Sequence, residues 1–202
     1  VRISGNVQVS PTANVRLSHP FVMRLDDGRI RLFANAQSPP GGPAGIYSLT
    51  STDEGVTFTL DAGIRLTVAA AGVAGGDDII GSKIVKMKTG GYRMYFSSST
   101  PTTVGSDGFI TLGKAWIGSA FSTDLITWTV DAGRRIGEGS TLTGNAVHPG
   151  AIANEDGSVT LVYFRNTNRT TFASTSADGL SFTTEATTGF TFAPPNTPAA
   201  DP

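Results

Sequence analysis

Apolar and polar positions alternate along this chain in short bursts, and each burst ends at a glycine-bearing turn. Phe21-Val22-Met23-Arg24-Leu25 runs into Asp26-Asp27-Gly28 and resumes as Arg29-Ile30-Arg31-Leu32-Phe33. Ile84-Val85-Lys86-Met87 passes through Lys88-Thr89-Gly90-Gly91 into Tyr92-Arg93-Met94-Tyr95-Phe96. Gly150-Ala151-Ile152-Ala153 passes through Asn154-Glu155-Asp156-Gly157 into Ser158-Val159-Thr160-Leu161-Val162-Tyr163-Phe164. A period of two predicts strands, and a turn glycine able to take positive φ joins each pair into a hairpin. Every hairpin precedes a third strand that runs into a second shared segment. The three segments are Ser51-Thr52-Asp53-Glu54-Gly55-Val56-Thr57-Phe58, Ser122-Thr123-Asp124-Leu125-Ile126-Thr127-Trp128 and Ser176-Ala177-Asp178-Gly179-Leu180-Ser181-Phe182. A carboxylate in such a turn accepts backbone N–H bonds, which makes Asp53, Asp124 and Asp178 structural, and the aromatic is placed to plug the gap between one sheet and the next.

The turn glycines Gly28, Gly91 and Gly157 stand 63 and 66 residues apart. A repeat of roughly 65 residues carrying four short antiparallel strands is one blade of a β-propeller. The expected fold is all-β, with three blades of four antiparallel strands in a single unit. Blade 1 covers about 15–63, blade 2 about 64–133 and blade 3 about 134–187; 188–202 is an extended tail or the start of a further blade. A sandwich is the competing architecture, but it does not repeat its turn chemistry at this period.

Composition supports the all-β reading. The 202 residues include 25 Gly and 11 Pro, too many breakers for long helices, and 27 Thr, which favours strands. Charged residues are 15 % of the chain and the formal net charge is −1, without the basic excess of a phosphate-neutralising nucleic-acid binder. The absence of cysteine removes disulfides, a thiolate nucleophile and cysteine-ligated metal. No apolar run approaches the roughly eighteen residues of a membrane span. No cofactor motif is present, neither a phosphate loop nor a dinucleotide fingerprint.

Ser122 to Trp128, following Ile117-Gly118-Ser119-Ala120, resembles the third-to-fourth strand turn of the five-bladed glycosidase propellers, the arabinanase, xylosidase and fructosidase superfamily. Ser51 to Phe58 also resembles the Asp-box of sialidases, whose propellers are six-bladed. The resemblance covers nearly the whole chain as three blades. It implies a secreted or periplasmic protein that acts on or binds a glycan or small sugar. A closed ring normally needs at least four blades. The chain is therefore expected either to be part of a larger ring or to be completed by another copy, as a homodimer or larger self-assembly.

In those families, acidic residues at the start of the innermost strand of successive blades converge on the axis. Here the matching places are read as His19-Pro20, Asp77-Asp78 and His148-Pro149. Glycoside hydrolysis generally needs two opposed carboxyl groups, and Asp78, Glu138 and Asp201 are the candidates. His19 and His148, the only histidines, occupy equivalent places. With Asp78 they form an axial set suited to hydrogen-bonding sugar hydroxyls, or else they merely open their strands and are satisfied by backbone. No metal site is expected. Arg24, Arg93 and Arg165 lie on or near the inner strands and suit an anionic sugar, or are ordinary structural arginines. Two readings stay open: a glycan-acting module built around His19, Asp78 and His148, and a non-catalytic, self-associating propeller module.

Overall fold

The three predicted hairpins form, and their turns close alike. The amide of Gly28 donates to the Leu25 carbonyl, that of Gly90 to Met87 and that of Gly157 to Asn154. These three glycines have φ of 88°, 99° and 96°, in the region that disfavours a side chain. The equivalent residue in the second turn is thus Gly90 rather than Gly91, and the true spacings are 62 and 67 residues. Gly91 has its own reason to be glycine, since a Cβ there would lie 2.4 Å from the Phe121 ring.

The computed structural model describes residues 7–10, 13–15, 17–36, 44–72, 79–100, 103–104, 110–111, 113–165 and 167–191, and no helix occurs among them. A hairpin of β1 (Val7–Ser10) and β2 (Ala13–Val15) precedes the first blade. That blade runs from its inner strand β3 (Leu17–Arg24) through β4 (Ile30–Ala36) to β5 (Gly45–Ser51), with an outer strand in two pieces, β6 (Thr59–Leu60) and β7 (Leu66–Thr67). The second is β8 (Ile79–Lys86), β9 (Tyr92–Ser99) and β12 (Ala115–Ser122), again with a divided outer strand, β13 (Thr129–Val130) and β14 (Ile136–Gly137). A small hairpin of β10 (Thr103–Val104) and β11 (Ile110–Thr111) lies between β9 and β12. The third blade is β15 (Ala146–Ala153), β16 (Val159–Arg165), β17 (Thr170–Ser176) and β18 (Ala186–Thr191). The pairings are antiparallel, and within each blade the strands follow chain order from the axis outward, the β10–β11 hairpin being an insertion between β9 and β12.

The divided outer strands explain why blades 1 and 2 extend past residues 63 and 133. Asp61 turns inward to accept from Ser48 Oγ (2.6 Å) and Thr50 Oγ1 (2.8 Å), beside Arg31 at 3.3 Å. Asp131 does the same with Ser119 Oγ (2.6 Å) and Arg93 Nε (3.1 Å). The chain then swings out through Gly63 or Gly133, and the guanidinium of Arg65 or Arg135 folds back onto the two carbonyls just passed. The strand resumes only after that excursion. Blade 3 has Glu185 in this region, bonded to Tyr163 and Arg165, and its outer strand is continuous.

Two apolar cores hold the three blades side by side. Phe33, Ile46, Leu66, Ile84 and Met94 fill the first, and Tyr95, Ile117, Val159, Leu161 and Phe182 the second. The aromatics that end the second and third Ser-x-Asp turns seat on the preceding blade: Trp128 meets Phe33 edge-on at 6.3 Å, and Phe182 meets Tyr95 likewise at 6.3 Å. Phe58 of the first turn instead packs on Leu32 and Leu49 of its own blade. Arg65 and Arg135 reach across the same seams to the carbonyls of Ile126 and Leu180. The blades form an open arc rather than a closed ring. On the far face of blade 3, Val162 stands where Phe33 and Tyr95 stand in their blades, and it is 39 % exposed.

Candidate functional site at the axial end of the blades

Each inner strand carries one β-bulge, and the three bulges are equivalent. The register slips between Ser18 and Phe21 in β3, between Ile80 and Lys83 in β8, and between Val147 and Gly150 in β15. In each case the first bulged residue is left-handed: His19 at φ 50°, Gly81 at 67° and His148 at 53°. They lie eleven residues ahead of Ile30, Tyr92 and Val159, the first residues of the partner strands. The residue in blade 2 that corresponds to the histidines is therefore Gly81. Asp78, three positions earlier, lies outside the described residues, as does Asp201.

A bulge re-aims its side chain, and here the re-aiming brings two histidines together. The imidazoles of His19 and His148 stack with centroids 5.9 Å apart and planes inclined by 20°, although their strands belong to the first and third blades. Gly81 lies in the blade between them; a Cβ there would be 3.9 Å from His148 Nδ1. Ser18 Oγ lies 3.2 Å from His19 Nδ1 and accepts a bond from Asn35 Nδ2 at 3.1 Å. Ser97 Oγ accepts the backbone N–H of His148 at 2.7 Å, which ties the bulge of blade 3 to blade 2. The Lys83 ammonium lies 5.5 Å from the centre of the Phe21 ring.

Both imidazoles keep an exposed side. The sheet edges packed beneath His148 nonetheless withhold water from it. This loss of hydration, together with the charges of His19 and Lys83, pushes its pKa below the ordinary imidazole value. Burial likewise lowers the pKa of the half-buried Lys83. A groove of about 410 Å³, lined by His148, Val162, Tyr163, Phe164 and Thr171, opens beside the pair and offers an almost wholly apolar wall. Among the described residues, no cluster of three or more His, Asp or Glu is placed to hold a metal.

The remaining candidates sit elsewhere. Glu138 follows β14 on the outer strand of blade 2, separated from β8 by β12 and β9, and its carboxylate pairs with Lys114 Nζ at 2.8 Å. Arg24 lies at the opposite end of β3 and makes a two-pronged pair with Glu54. Arg93 is also at that far end, bound to Asp131 and to the Asp178 carbonyl. Arg165 shares the axial end of blade 3 but is buried against Glu185 and the Thr143 carbonyl. The three arginines do not form a cluster; each is engaged by its own acid. Lys83, Asn35 and Ser97 were not singled out by sequence reasoning. The constant eleven-residue offset ahead of the partner strands is the signal that locates the bulges and thus these neighbours.

No protein-family model and no curated protein matches the sequence. The shape, in contrast, has many counterparts among solved structures. The exo-β-1,3-galactanase of Phanerochaete chrysosporium with β-1,3-galactotriose aligns with a TM-score of 0.64 at 14 % identity, over 90 % of this chain and 40 % of its own. A GH43_1 enzyme from Xanthomonas citri complexed with xylotriose gives 0.61 at 12 % identity, over 90 % and 57 %. The exo-inulinase of Aspergillus awamori gives 0.58 at 14 % identity, over 82 % and 36 %. These likenesses show the fold, that of β-propeller blades. The chain spans between about a third and somewhat over half of the length of these structures.

Proposed function

We propose that this chain binds a glycan at the axial end of its blades, with His19 and His148 contacting sugar hydroxyls. The observation that carries this reading is internal to the molecule. At three equivalent bulges the backbone needs a left-handed residue, which glycine supplies without strain in blade 2. Blades 1 and 3 use histidine at the same backbone conformation, a choice that costs about 1 kcal/mol or more. Strain retained at two places and directed to one point supports a role for the side chains. The fold of the glycosidase propellers, several of whose structures hold oligosaccharides, supports the ligand class.

Calorimetric titration of the chain with xylo-, galacto- and fructo-oligosaccharides tests the reading. Binding of at least one series is expected, weakened about tenfold by His19→Gly or His148→Gly, the loss of roughly one good hydrogen bond in a partly dry site. Failure of every series to bind, or binding indifferent to both substitutions, refutes it. Hydrolysis is a further proposal and turns on Asp78. Release of a chromophore from aryl glycosides, abolished in Asp78→Asn while sugar binding persists, is its test.

A further inference from the structure

Three groups that can carry positive charge lie at the axial end, one from each blade. His19 on β3 and His148 on β15 stack on each other, and Lys83 on β8, above the Phe21 ring, is near enough for its charge to act on His148. Among the described residues, no carboxylate pairs with any of them; every ion pair lies elsewhere. Imidazolium and ammonium groups only donate hydrogen bonds. A neutral sugar hydroxyl both donates and accepts, so it uses such a cluster only in part. A carboxylate only accepts, and charge-assisted bonds to it are the stronger kind. Buried on β8 and β4, Ser82 Oγ and Asn35 Oδ1 have no hydrogen-bond partner among the described residues, and Ser82 directly follows the Gly81 bulge.

We propose that His19, Lys83 and His148 together bind the carboxylate of an acidic sugar, such as a uronic acid unit, a refinement that rests on the axial glycan reading above. Each of the three blades thus supplies one cationic donor at this end. Binding is coupled to protonation. The charged groups that face His148 are His19 from β3 and Lys83 from β8. On β16, Arg165 is turned away to Glu185, and on β9 the charged Arg93 lies at the far end with Asp131. The β12 segment from Ala115 to Ser122 carries no charged residue. With cations alone as its charged neighbours among the described residues, the unliganded His148 resists its proton, and a carboxylate seated among the three groups restores it. Affinity for the acid therefore rises as the pH falls, by about tenfold per pH unit for each proton taken up.

The chain has only two histidines, so their side-chain NMR signals report the site directly. The probes are digalacturonate, its methyl ester and the neutral galactobiose, titrated between about pH 5 and 8. Digalacturonate is expected to shift both imidazole resonances and raise the apparent pKa of His148, while the ester and galactobiose bind at least about tenfold more weakly. Lys83→Met is expected to weaken digalacturonate by about tenfold as well. The His19→Gly and His148→Gly variants keep the backbone that Gly81 already adopts, so a loss of binding there is not a loss of fold; a thermal melt confirms it.

Equal binding of the acid and its ester overturns the acidic-sugar inference and leaves the axial glycan reading standing. Binding of none of the three sugars, nor of the neutral series above, overturns both. Digalacturonate binding unaffected by Lys83→Met and the glycine variants places the anion elsewhere and overturns the inference. Asp77 and Asp78 precede β8 in the chain and lie outside the described residues, so they enter as Asp77→Asn with Asp78→Asn. Should only that double variant take up the acid, the native cluster already has its counter-charge and the inference fails.

Discussion

At the scale of single residues, the two histidines carry a measurable contradiction between stability and function. His19 and His148 hold φ of 50° and 53°, where glycine loses little and a side chain is crowded. His19→Gly and His148→Gly should each leave the protein as stable as before or more stable by up to about 1 kcal/mol, read as a rise in the urea midpoint, while sugar affinity falls. Gly81→Val, which puts a β-branched side chain at φ 67°, should destabilise by about 2 kcal/mol. A drop in stability on His→Gly comparable to that of Gly81→Val means that the imidazoles are structural. The equivalence of the two histidine positions was legible because both precede proline at the start of an inner strand. Gly81 was not legible as their counterpart, because glycine carries no chemistry of its own and the acidic Asp77-Asp78 pair stands just ahead of it. Lys83 was hidden for a different reason. A strand places its side chains on alternating faces, and only the bulge at Gly81-Ser82 fixes which face a later residue takes.

At the scale of elements, the Ser-x-Asp turns were the most readable part of the sequence, and their hydrogen bonds explain why. Asp124 Oδ1 accepts from the backbone amides of Ile126 and Thr127, and Asp178 Oδ1 from those of Leu180 and Ser181. In the first turn, Asp53 takes the amide and hydroxyl of Thr57. These bonds favour the ionised form. They hold Asp53, with the Thr57 hydroxyl foremost, and Asp124, with the Thr127 amide foremost, at pKa values of about 2, and Asp178 lower still. A carboxylate whose folded pKa lies below its unfolded value contributes stability that is present above the unfolded value, near 4, and is lost as the pH falls through the folded one. Stability should therefore fall between about pH 4 and 2, and chemical denaturation across that range should show a shallower loss in Asp53→Asn with Asp124→Asn. The seams between blades were less legible, because the same turn is completed differently at each. Leu125 at φ 64° inserts into the first core beside Phe33, whereas Gly179 at φ 70° faces the Tyr95 hydroxyl, 2.7 Å from where a Cβ would be. Gly179→Leu alone should cost about 2 kcal/mol or more. Combined with Tyr95→Phe, which copies the Phe33–Leu125 arrangement, part of that loss should return, as a coupling of about 1 kcal/mol in a double-mutant cycle. Strict additivity would mean that the two seams are not alternative solutions to one packing problem.

At the scale of the whole molecule, three repeats with two seams cannot be equally stable, because only the middle blade is covered on both faces. Along β9, Arg93 through Ser99 are all buried, with Met94 and Phe96 facing blade 1 and Tyr95 facing blade 3. Along β16, burial alternates: Val159, Leu161 and Tyr163 are inside, while Val162 reaches the surface. The repeat, its turn chemistry and the all-β fold were visible in the chain. Which faces find a partner was not, since β9 and β16 read alike as alternating apolar runs, and only assembly distinguishes a strand with two neighbours from one with a single neighbour. In a linear array each blade is stabilised by its own sheet and by its seams, so opening should cost most where two seams meet. Native-state hydrogen exchange should show the amides of β9 as the slowest in the protein, exchanging only through global unfolding, and those of β17 and β18 as faster at low protein concentration. The same measurement at rising concentration examines the open face. Protection that grows along β16 and β17 while β9 stays unchanged marks a second copy seated over Val162, and protection independent of concentration marks a face that the isolated chain leaves without another copy. Equal exchange in β9 and β16 at every concentration contradicts the array picture, and would mean that the third blade gains its stability from its own sheet rather than from its neighbours.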